Sequence, residues 1–273
     1  MNPSEIQAMM LKIFQETDLN TVHLPEEDID IPILEEPLMA VAAADDPLFA
    51  ELKKPEAISP DWMAPQEWLP EAKSVIVFFF PYSEDVRGRA AASDEPINEA
   101  WQYGYPAGSQ VSKDLTAVLQ KELEAVGIVV SNPIADPRFV SKRVPVKTAG
   151  EDDLHFTPTW STRHAGYIAG LGTFGIHRHM ITEKGCCGAL TTLILDTFVE
   201  PTERKYTGLY DNCIKCGLCA VRCPTEAITI ENLRNLKKCS EYGGWMREQF
   251  NSSACGKCMV AVPCEHANPA ATE

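Results

Sequence analysis

The cysteines carry the most specific chemistry in this chain of 273 residues. Cys213, Cys216, Cys219 and Cys223 form a C-x2-C-x2-C-x3-C run that is followed by Pro224. This is the bacterial spacing for [4Fe–4S] clusters, in which three thiolates on one tight loop reach three irons of a cubane. In proteins with two clusters, the fourth cysteine ligates the other cluster. We therefore expect further ligands downstream.

More cysteines follow the run and complete two sets of four. We predict that one [4Fe–4S] cluster is bound by Cys213, Cys216, Cys219 and Cys264, and the other by Cys223, Cys239, Cys255 and Cys258. The alternatives are a zinc site and a disulfide framework. Zinc sites typically use two C-x2-C pairs per metal, and disulfides need an oxidising compartment, so the spacing favours iron–sulfur chemistry.

The charge and the N-terminal residues restrict the partners. The 24 Lys and Arg residues against 39 Asp and Glu residues give a formal net charge of −15. A surface of this sign repels polyphosphates, so we predict no nucleic-acid partner. The start of the chain lacks an export signal, and the longest apolar run, residues 75–80, is too short to span a bilayer. We predict a cytoplasmic protein without a membrane partner.

Three apolar segments and one helix predict the core of an α/β fold. Residues 72–81 are predicted to form a strand, and their continuous apolar run over residues 75–80 is typical of a central strand with both faces covered. The pattern predicts a helix over residues 112–126 and strands over residues 128–131 and 191–196. A strand, a helix and a strand in succession indicate an α/β layer arrangement.

The N-terminal part is predicted to be less regular. Asn2 caps a helix with Pro3 at its first position and an apolar stripe that runs to Phe14. Residues 25–70 are rich in acidic residues and proline, which predicts irregular chain with one or two short helices. Residues 83–96 are charged and without periodicity, which predicts a surface loop or a lid.

A glycine-rich segment follows a short helix that Ser161 is predicted to cap. Gly170, Gly172 and Gly175 form a G-x-G-x-x-G pattern, which in dinucleotide-binding proteins follows a strand and opens a helix. Here a helix precedes the pattern, so a Rossmann-type site is not favoured. Glycines at this density suit a backbone that a bulky group approaches closely.

The chain resembles the epoxyqueuosine reductase family, which is related to the reductive dehalogenases. The resemblance extends from about residue 72 to residue 264 and is most specific in the eight-cysteine arrangement. It also includes residues 72–77 (AKSVIV), residues 169–175 (AGLGTFG), residues 180–182 (MIT) and the strand that ends at Asp196.

The resemblance implies an α/β fold, with a nitroreductase-like corrinoid-binding domain over residues 1–206 and a ferredoxin-like domain with two [4Fe–4S] clusters over residues 207–273. It also implies base-off cobalamin, with electrons passing from the clusters to cobalt. We expect the macrocycle to lie against the glycine segment, because glycines leave no side chains in its way. The residues predicted to bind it are Gly170, Leu171, Gly172, Thr173, Phe174, Gly175, His177 and Arg178.

The chain departs from the family where the family carries its proton donor. That donor is the aspartate of a D-S/T-x-P-x-x-E-R motif, whereas residues 154–160 (LHFTPTW) have no carboxylate at the position. Asp153 and His155 are the nearby candidates for a catalytic role. The adjacent Cys186 and Cys187 either ligate a metal, form a strained disulfide or pack as small apolar side chains, and buried thiols are the favoured interpretation.

Taken together, these features predict an iron–sulfur and cobalamin-dependent reductase. Its substrate is a small molecule or a corrinoid, and its electron donor is a low-potential protein of the ferredoxin or flavodoxin type. The alternative is an electron-transfer protein that relays electrons to a partner enzyme. Reduction of epoxyqueuosine in tRNA is a third hypothesis, which the net charge disfavours.

Overall fold

The computed structural model describes residues 1–93, 95–252 and 255–271. The helices are α1 (Pro3–Glu16), α2 (Pro47–Glu51), α3 (Pro65–Trp68), α4 (Glu84–Ala92), α5 (Glu99–Ala125), α6 (Thr162–Ile168), α7 (Leu218–Val221) and α8 (Leu236–Phe250). The strands are β1 (Thr21–Leu24), β2 (Ile29–Pro32), β3 (Leu38–Ala43), β4 (Ser74–Pro81), β5 (Val130–Ser131), β6 (Ser141–Thr148), β7 (Glu151–Pro158), β8 (Gly172–Phe174), β9 (Met180–Thr182), β10 (Gly188–Leu195), β11 (Ile228–Thr229) and β12 (Leu233–Arg234). Within the described ranges, none of the helices combines the length and apolarity needed to cross a membrane.

A four-stranded antiparallel sheet in the order β3-β4-β10-β5 forms the centre of the fold. All residues of β4 are buried. Even positions from Ile76 to Phe80 join one apolar cluster and odd positions from Val75 to Phe79 join another, because successive strand side chains point to opposite faces. The continuous apolar run therefore reflects a strand covered on both faces, as the sequence predicted.

Two segments predicted as irregular form regular elements. Residues 38–43 are strand β3, which pairs with β4 along its whole length. Residues 84–92 form helix α4 instead of a surface loop. Its cap is Ser83, whose hydroxyl accepts a hydrogen bond from the Val86 amide, and its Arg87 is buried. The local sequence of both segments is weakly patterned, so contacts with the rest of the fold decide their structure.

Helix α5 begins at Glu99 rather than at residue 112 and contains Pro106. Its first half lies close to Tyr82, the residue after β4, because an added Cβ at Gly108 would sit 2.5 Å from the ring of Tyr82. The missing glycine side chain permits this approach. Packing therefore extends the helix through a region whose glycine and proline content disfavours one.

The predicted glycine segment forms the hairpin β8–β9 and packs against its own chain. An added Cβ at Gly172 would lie 2.3 Å from the carbonyl oxygen of Ile181, and one at Gly175 would lie 2.5 Å from the ring of His177. These glycines make room for neighbouring backbone and for an imidazole. The explanation that they leave space for a macrocycle is wrong at these two positions.

The same hairpin positions the loop that begins the cysteine run. The hydroxyl of Thr173 accepts a hydrogen bond of 2.8 Å from the backbone amide of Asn212. The side-chain amide of Asn212 donates to the carbonyl of Ile181, also at 2.8 Å. Asn212 directly precedes Cys213, so the hairpin fixes the first of the predicted ligands.

One apolar cluster extends across the predicted boundary between residues 206 and 207. Ile228, Met246 and Met259 are buried in the cluster that also contains Leu193 of the central sheet. The mixed α/β fold is thus continuous with the cysteine-rich part. The division into two domains and its nitroreductase-like character stay predictions.

Asp153 anchors the hairpin β6–β7 to the N-terminus of α8. Its carboxylate accepts hydrogen bonds from the amides of Leu236 at 2.6 Å and Lys237 at 3.3 Å, and from the Thr148 hydroxyl at 2.9 Å. Burial raises the pKa of Asp153, but these bonds and one from the Leu154 amide outweigh it and hold the pKa below its usual value. An ionised carboxylate at a helix N-terminus stabilises the fold. The structure thus shows an anchoring role for Asp153, and a catalytic role stays a prediction.

His155 lies two residues further along β7 and also has a structural contact. Its Nε2 lies 2.9 Å from the carbonyl oxygen of Ile58, which can only accept, so Nε2 donates. This bond ties the hairpin to the segment before α3. The two candidate catalytic residues thus both hold the hairpin in place.

We expect Asp153→Asn to lower the free energy of unfolding at pH 7 by about 1–3 kcal/mol, because charge-assisted bonds to α8 are lost. The pKa of Asp153 is lower in the folded chain than in the unfolded chain. The contribution of its carboxylate to the free energy of unfolding is therefore complete above the unfolded pKa of about 3.9 and is lost as the pH falls through the folded pKa. Urea unfolding measures the loss at pH 7, and the difference should shrink only below about pH 3.9, as the pH falls through the folded value. Asp152→Asn, at an exposed neighbour, is the control, and an equal loss in both variants would contradict the assignment.

We expect Gly172→Ala to lower the free energy of unfolding by about 1–3 kcal/mol, because the new Cβ overlaps the Ile181 carbonyl. Gly244→Ala in α8 is the matched control, since its Cβ meets nothing within 4 Å. That change should raise the free energy by about 0.5–1 kcal/mol. Urea unfolding measures both variants. A Gly172→Ala protein as stable as the wild type would restore the hypothesis of an open glycine surface.

Candidate functional site

The first predicted ligand set lines one small cavity. Cys213, Cys216, Cys219 and Cys264 all border a space of about 20 Å³, next to His177. Cys216 is exposed, whereas Cys219 and Cys264 are buried. The set therefore reaches from the protein surface inward.

Backbone pairing brings Cys264 to the other three cysteines. The amide of Cys186 donates to the carbonyl of Cys264 at 2.7 Å, and the amide of Cys187 donates to the carbonyl of Glu265 at 3.1 Å. The Glu265 carboxylate in turn forms a buried ion pair of 3.2 Å with Arg87. The C-terminal segment is thus held where β10 begins.

The second predicted ligand set lines a separate cavity of about 150 Å³. Its members are Cys223, Cys239, Cys255 and Cys258. Cys239 is presented by helix α8, which the carboxylate of Asp153 binds at its N-terminus. The fold thus separates Cys223 from the three cysteines that precede it in sequence.

The four cysteines of the second set are half-buried and lie close enough for their thiols to affect one another. Burial raises the pKa of Cys258 to about 12; the Arg234 guanidinium lowers it, and neighbouring thiols of the set raise it. Burial also raises the pKa of Cys255. Bringing such thiolates together is unfavourable without a cation among them, whereas a metal centre removes the repulsion. The donor set therefore fits a [4Fe–4S] cluster.

His177 contacts the first set with a defined tautomer. The backbone amide of His179 donates to Nδ1 of His177 at 3.0 Å, so Nδ1 carries a lone pair. The proton of the neutral ring is then on Nε2, which donates to Sγ of Cys264 at 3.4 Å. His177 is 1 % exposed. The imidazole therefore supplies a buried hydrogen bond to one predicted ligand.

Cys186 and Cys187 are buried free thiols, as the sequence favoured. Cys186 donates to Sγ of Cys264 at 3.9 Å. The ligand atoms of His177, Cys186 and Cys264 all lie within 4.8 Å of one another, a spacing that can hold a metal ion. The hydrogen bonds from Cys186 and His177 lower the pKa of Cys264, while burial acts in the opposite direction. Cys264 is therefore poised to be a thiolate.

A third cavity, which we call the central cavity, has a volume of about 170 Å³. It lies between α5, α6 and the start of β10, and its walls include Ser109, Arg163 and Leu190. Tyr105 and His179 line both this cavity and that of the second cysteine set, as does Met259. The central cavity is thus the space adjacent to the second set.

The residues predicted to bind cobalamin have other contacts. Leu171 is buried in an apolar cluster, Phe174 stacks on Tyr167, and Arg178 is half-buried with a pKa lowered by burial. Of the predicted binding residues, all of which the structure describes, none lines the central cavity. Drug-sized ligands occupy roughly 300–1,000 Å³, and cobalamin is larger still. The described residues therefore do not fit a cobalamin at this place.

Sequence reasoning missed the contribution of α5 to the central cavity. Tyr105, Ser109 and Lys113 are spaced four residues apart and so share one helix face. That spacing was the available indication, but the predicted helix began only at residue 112. A polar stripe on a helix is ordinarily a solvated surface, so only the fold identifies it as a cavity wall.

The cysteine run matches a known domain, and most of the chain matches one curated protein. A 4Fe-4S binding domain model matches residues 209–229. The epoxyqueuosine reductase of Staphylococcus aureus is 23 % identical over 212 residues, which cover 75 % of this chain and 50 % of that protein. The chain therefore spans half the length of the curated relative.

Solved structures share the fold. The epoxyqueuosine reductase from Streptococcus thermophilus is similar with a TM-score of 0.54 at 16 % identity, covering 99 % of this chain and 68 % of the other. An epoxyqueuosine reductase with an epoxyqueuosine-modified tRNA stem loop is similar with a TM-score of 0.54 at 15 % identity, covering 96 % of this chain and 64 % of the other. A reductive dehalogenase whose structure suggests a mechanism for B12-dependent dehalogenation has a TM-score of 0.55 at 16 % identity, covering 85 % of this chain and 30 % of the other. These comparisons show that the chain shares its fold with epoxyqueuosine reductases and a reductive dehalogenase, and that its cysteine run matches a 4Fe-4S binding domain.

Proposed function

We propose that the chain is an iron–sulfur oxidoreductase that reduces a small molecule bound in the central cavity. One observation carries the proposal: the predicted ligands line two cavities, four to each, and the second of these shares Tyr105, His179 and Met259 with the central cavity. Bound [4Fe–4S] clusters supply one-electron transfer at these positions. A protein that only relays electrons has no need of a separate cavity next to a cluster site.

The exposures of the two sets give the proposed route a direction. Cys216 is exposed, so the first set is the side that a low-potential donor of the ferredoxin or flavodoxin type reaches. The second set lies next to the central cavity, through the shared wall at His179. A cluster held by the first set would accept electrons from the donor, and one held by the second set would supply them to the central cavity. The donor type and the cytoplasmic location stay predictions.

His179 has a fixed protonation state at the shared wall. Arg234 can only donate, and its Nη1 lies 2.9 Å from Nε2 of His179, so Nε2 accepts and the ring proton is on Nδ1. Burial, followed by the charges of Arg234 and Arg163, holds the pKa of His179 well below its usual value. The imidazole is therefore neutral at pH 7 and holds one proton at the wall of both cavities.

Cobalamin has no place in this route, since the described residues do not fit it. Its support comes from the likeness to a reductive dehalogenase, which at 16 % identity shows the fold alone. Uptake of cobalamin by the reconstituted protein is the direct test. Tight stoichiometric binding would overturn our description of the central cavity as a small-molecule site.

Reduction of epoxyqueuosine in tRNA is the second candidate function. The curated relative carries that activity in its name, and one similar structure contains a modified tRNA stem loop. The net charge of −15 opposes it, because phosphate contacts normally supply most of the affinity for nucleic acid. The prediction of no nucleic-acid partner therefore stands as a proposal. Restoration of queuosine in a strain without its own reductase would favour the second candidate.

We expect the anaerobically reconstituted protein to bind about eight irons. Cys216→Ala and Cys239→Ala should each reduce the iron content towards about four, since each removes a ligand of one cluster only. Cys187→Ala is the control, because Cys187 is buried but lines neither cysteine cavity. Iron analysis measures all three variants. A stable zinc content with little iron would refute the assignment.

The same variants test the direction of electron flow. With a reduced ferredoxin as donor, Cys216→Ala should slow reduction of the second cluster, because its route through the first set is broken. Cys239→Ala should leave the first cluster reducible. Rapid-freeze EPR follows each cluster. Reduction of the second cluster at the wild-type rate in Cys216→Ala would show that the route is wrong.

We expect His177→Leu to lower the reduction potential of the first cluster by tens of millivolts, because the hydrogen bond to Cys264 stabilises the more negative reduced state. His177→Gln keeps a side-chain donor and should restore part of the potential. An EPR-monitored redox titration measures the shift. The hypothesis fails if both variants keep the wild-type potential with full iron content.

A further inference from the structure

The central cavity is cationic, although the protein is acidic. Arg163 and Lys113 line it, and none of its described lining residues is an aspartate or glutamate. The chain as a whole has a formal charge of −15, so carboxylates are abundant elsewhere. We infer that the central cavity binds a small organic carboxylate through Arg163. The inference rests on the proposed function for the role of this cavity as the substrate site.

Arg163 lacks the carboxylate partner that Arg87 and Arg204 have. Its guanidinium makes no hydrogen bond or ion pair to any residue that the structure describes. By contrast, Arg87 pairs with Glu35 and Arg204 pairs with Asp46. A guanidinium carries five N–H donors and keeps its charge, so the Arg163 side chain is free to bind an anion that enters the cavity. A bound carboxylate accepts two of these donors side by side.

The neighbouring cysteine set does not supply the missing counter-charge. Arg234 lines the cavity of that set, whereas neither Arg163 nor Lys113 does. Arg234 is therefore the residue that places a positive charge beside the second cysteine set. The charge of Arg163 is left for a ligand.

The other side chains that line the central cavity indicate the size and polarity of the rest of the ligand. Ser109 and Lys113 lie on the same face of α5 and provide polar groups, with Lys113 exposed at the outside. Phe79, Met180 and Leu190 provide apolar surface. A volume of about 170 Å³ holds only a few non-hydrogen atoms beyond the carboxylate itself. A short aliphatic or aromatic acid fits this combination better than an inorganic anion, which has no apolar part.

The test is calorimetric titration of the reconstituted, oxidised protein with butyrate, succinate and benzoate, and with benzamide and inorganic phosphate for comparison. We expect at least one carboxylate to bind and benzamide not to bind, because it lacks the charge. Arg163→Gln should weaken that binding about tenfold or more. Arg163→Lys should bind with intermediate strength. Arg138→Gln, at a surface arginine already paired with Asp136, should bind like the wild type.

The outcomes separate this inference from the proposed function. Iron content and cluster reduction are measured on each variant, so that a folding defect in Arg163→Gln is detected. In that case the carboxylate affinity of Arg163→Lys tests the inference instead. Full clusters that are reduced normally, with no carboxylate bound or with unchanged affinity in Arg163→Gln, overturn the inference alone. Phosphate binding more tightly than every carboxylate also overturns it. Arg163-dependent carboxylate binding in a protein whose clusters fail to form supports the site and refutes the reductase.

Discussion

The hydrogen bond from the Cys186 amide to the Cys264 carbonyl is the contact on which the first cysteine set depends. The cysteine run supplies only three members of the first set, and the fourth, Cys264, comes from far along the chain. Backbone pairing with the start of β10 holds that partner in place, and the buried pair of Arg87 and Glu265 fixes the same segment to α4. Because β10 also pairs with β4, the site inherits the rigidity of the fully buried sheet.

Electrostatics organise the region around the second set in the same way. Arg234 lies among the thiols and directs one N–H to His179, which keeps that imidazole neutral. Arg163 stands further out, on the wall of the central cavity. The groups that follow one another from the second set towards the central cavity are the cysteines, the Arg234 guanidinium, the neutral His179 imidazole and the Arg163 guanidinium. Such an order separates charge compensation at the cysteines from recognition of a ligand.

Strong local patterns in the sequence predicted their elements well. The apolar run of β4 and the capped helix α1 needed no distant information, since burial on both faces and an Asn–Pro start each leave a local pattern. The grouping of the cysteines followed from spacing, and the structure places the two groups at separate cavities, while ligation itself stays a prediction. What failed was non-local: α4, and the glycines that pack against Ile181 and His177, depend on contacts that local sequence does not encode.

The two cysteine sets are interleaved along the chain, and this has a consequence for how the protein matures. Cys223 follows Cys219 closely but faces the other cavity, and Cys264 returns to the first. A nascent chain that has emerged as far as residue 263 therefore offers all four thiols of the second set but only three of the first. With the predicted ligands, iron–sulfur loading of the first set would wait until translation has passed Cys264, whereas the second set could be filled while the ribosome is still at work.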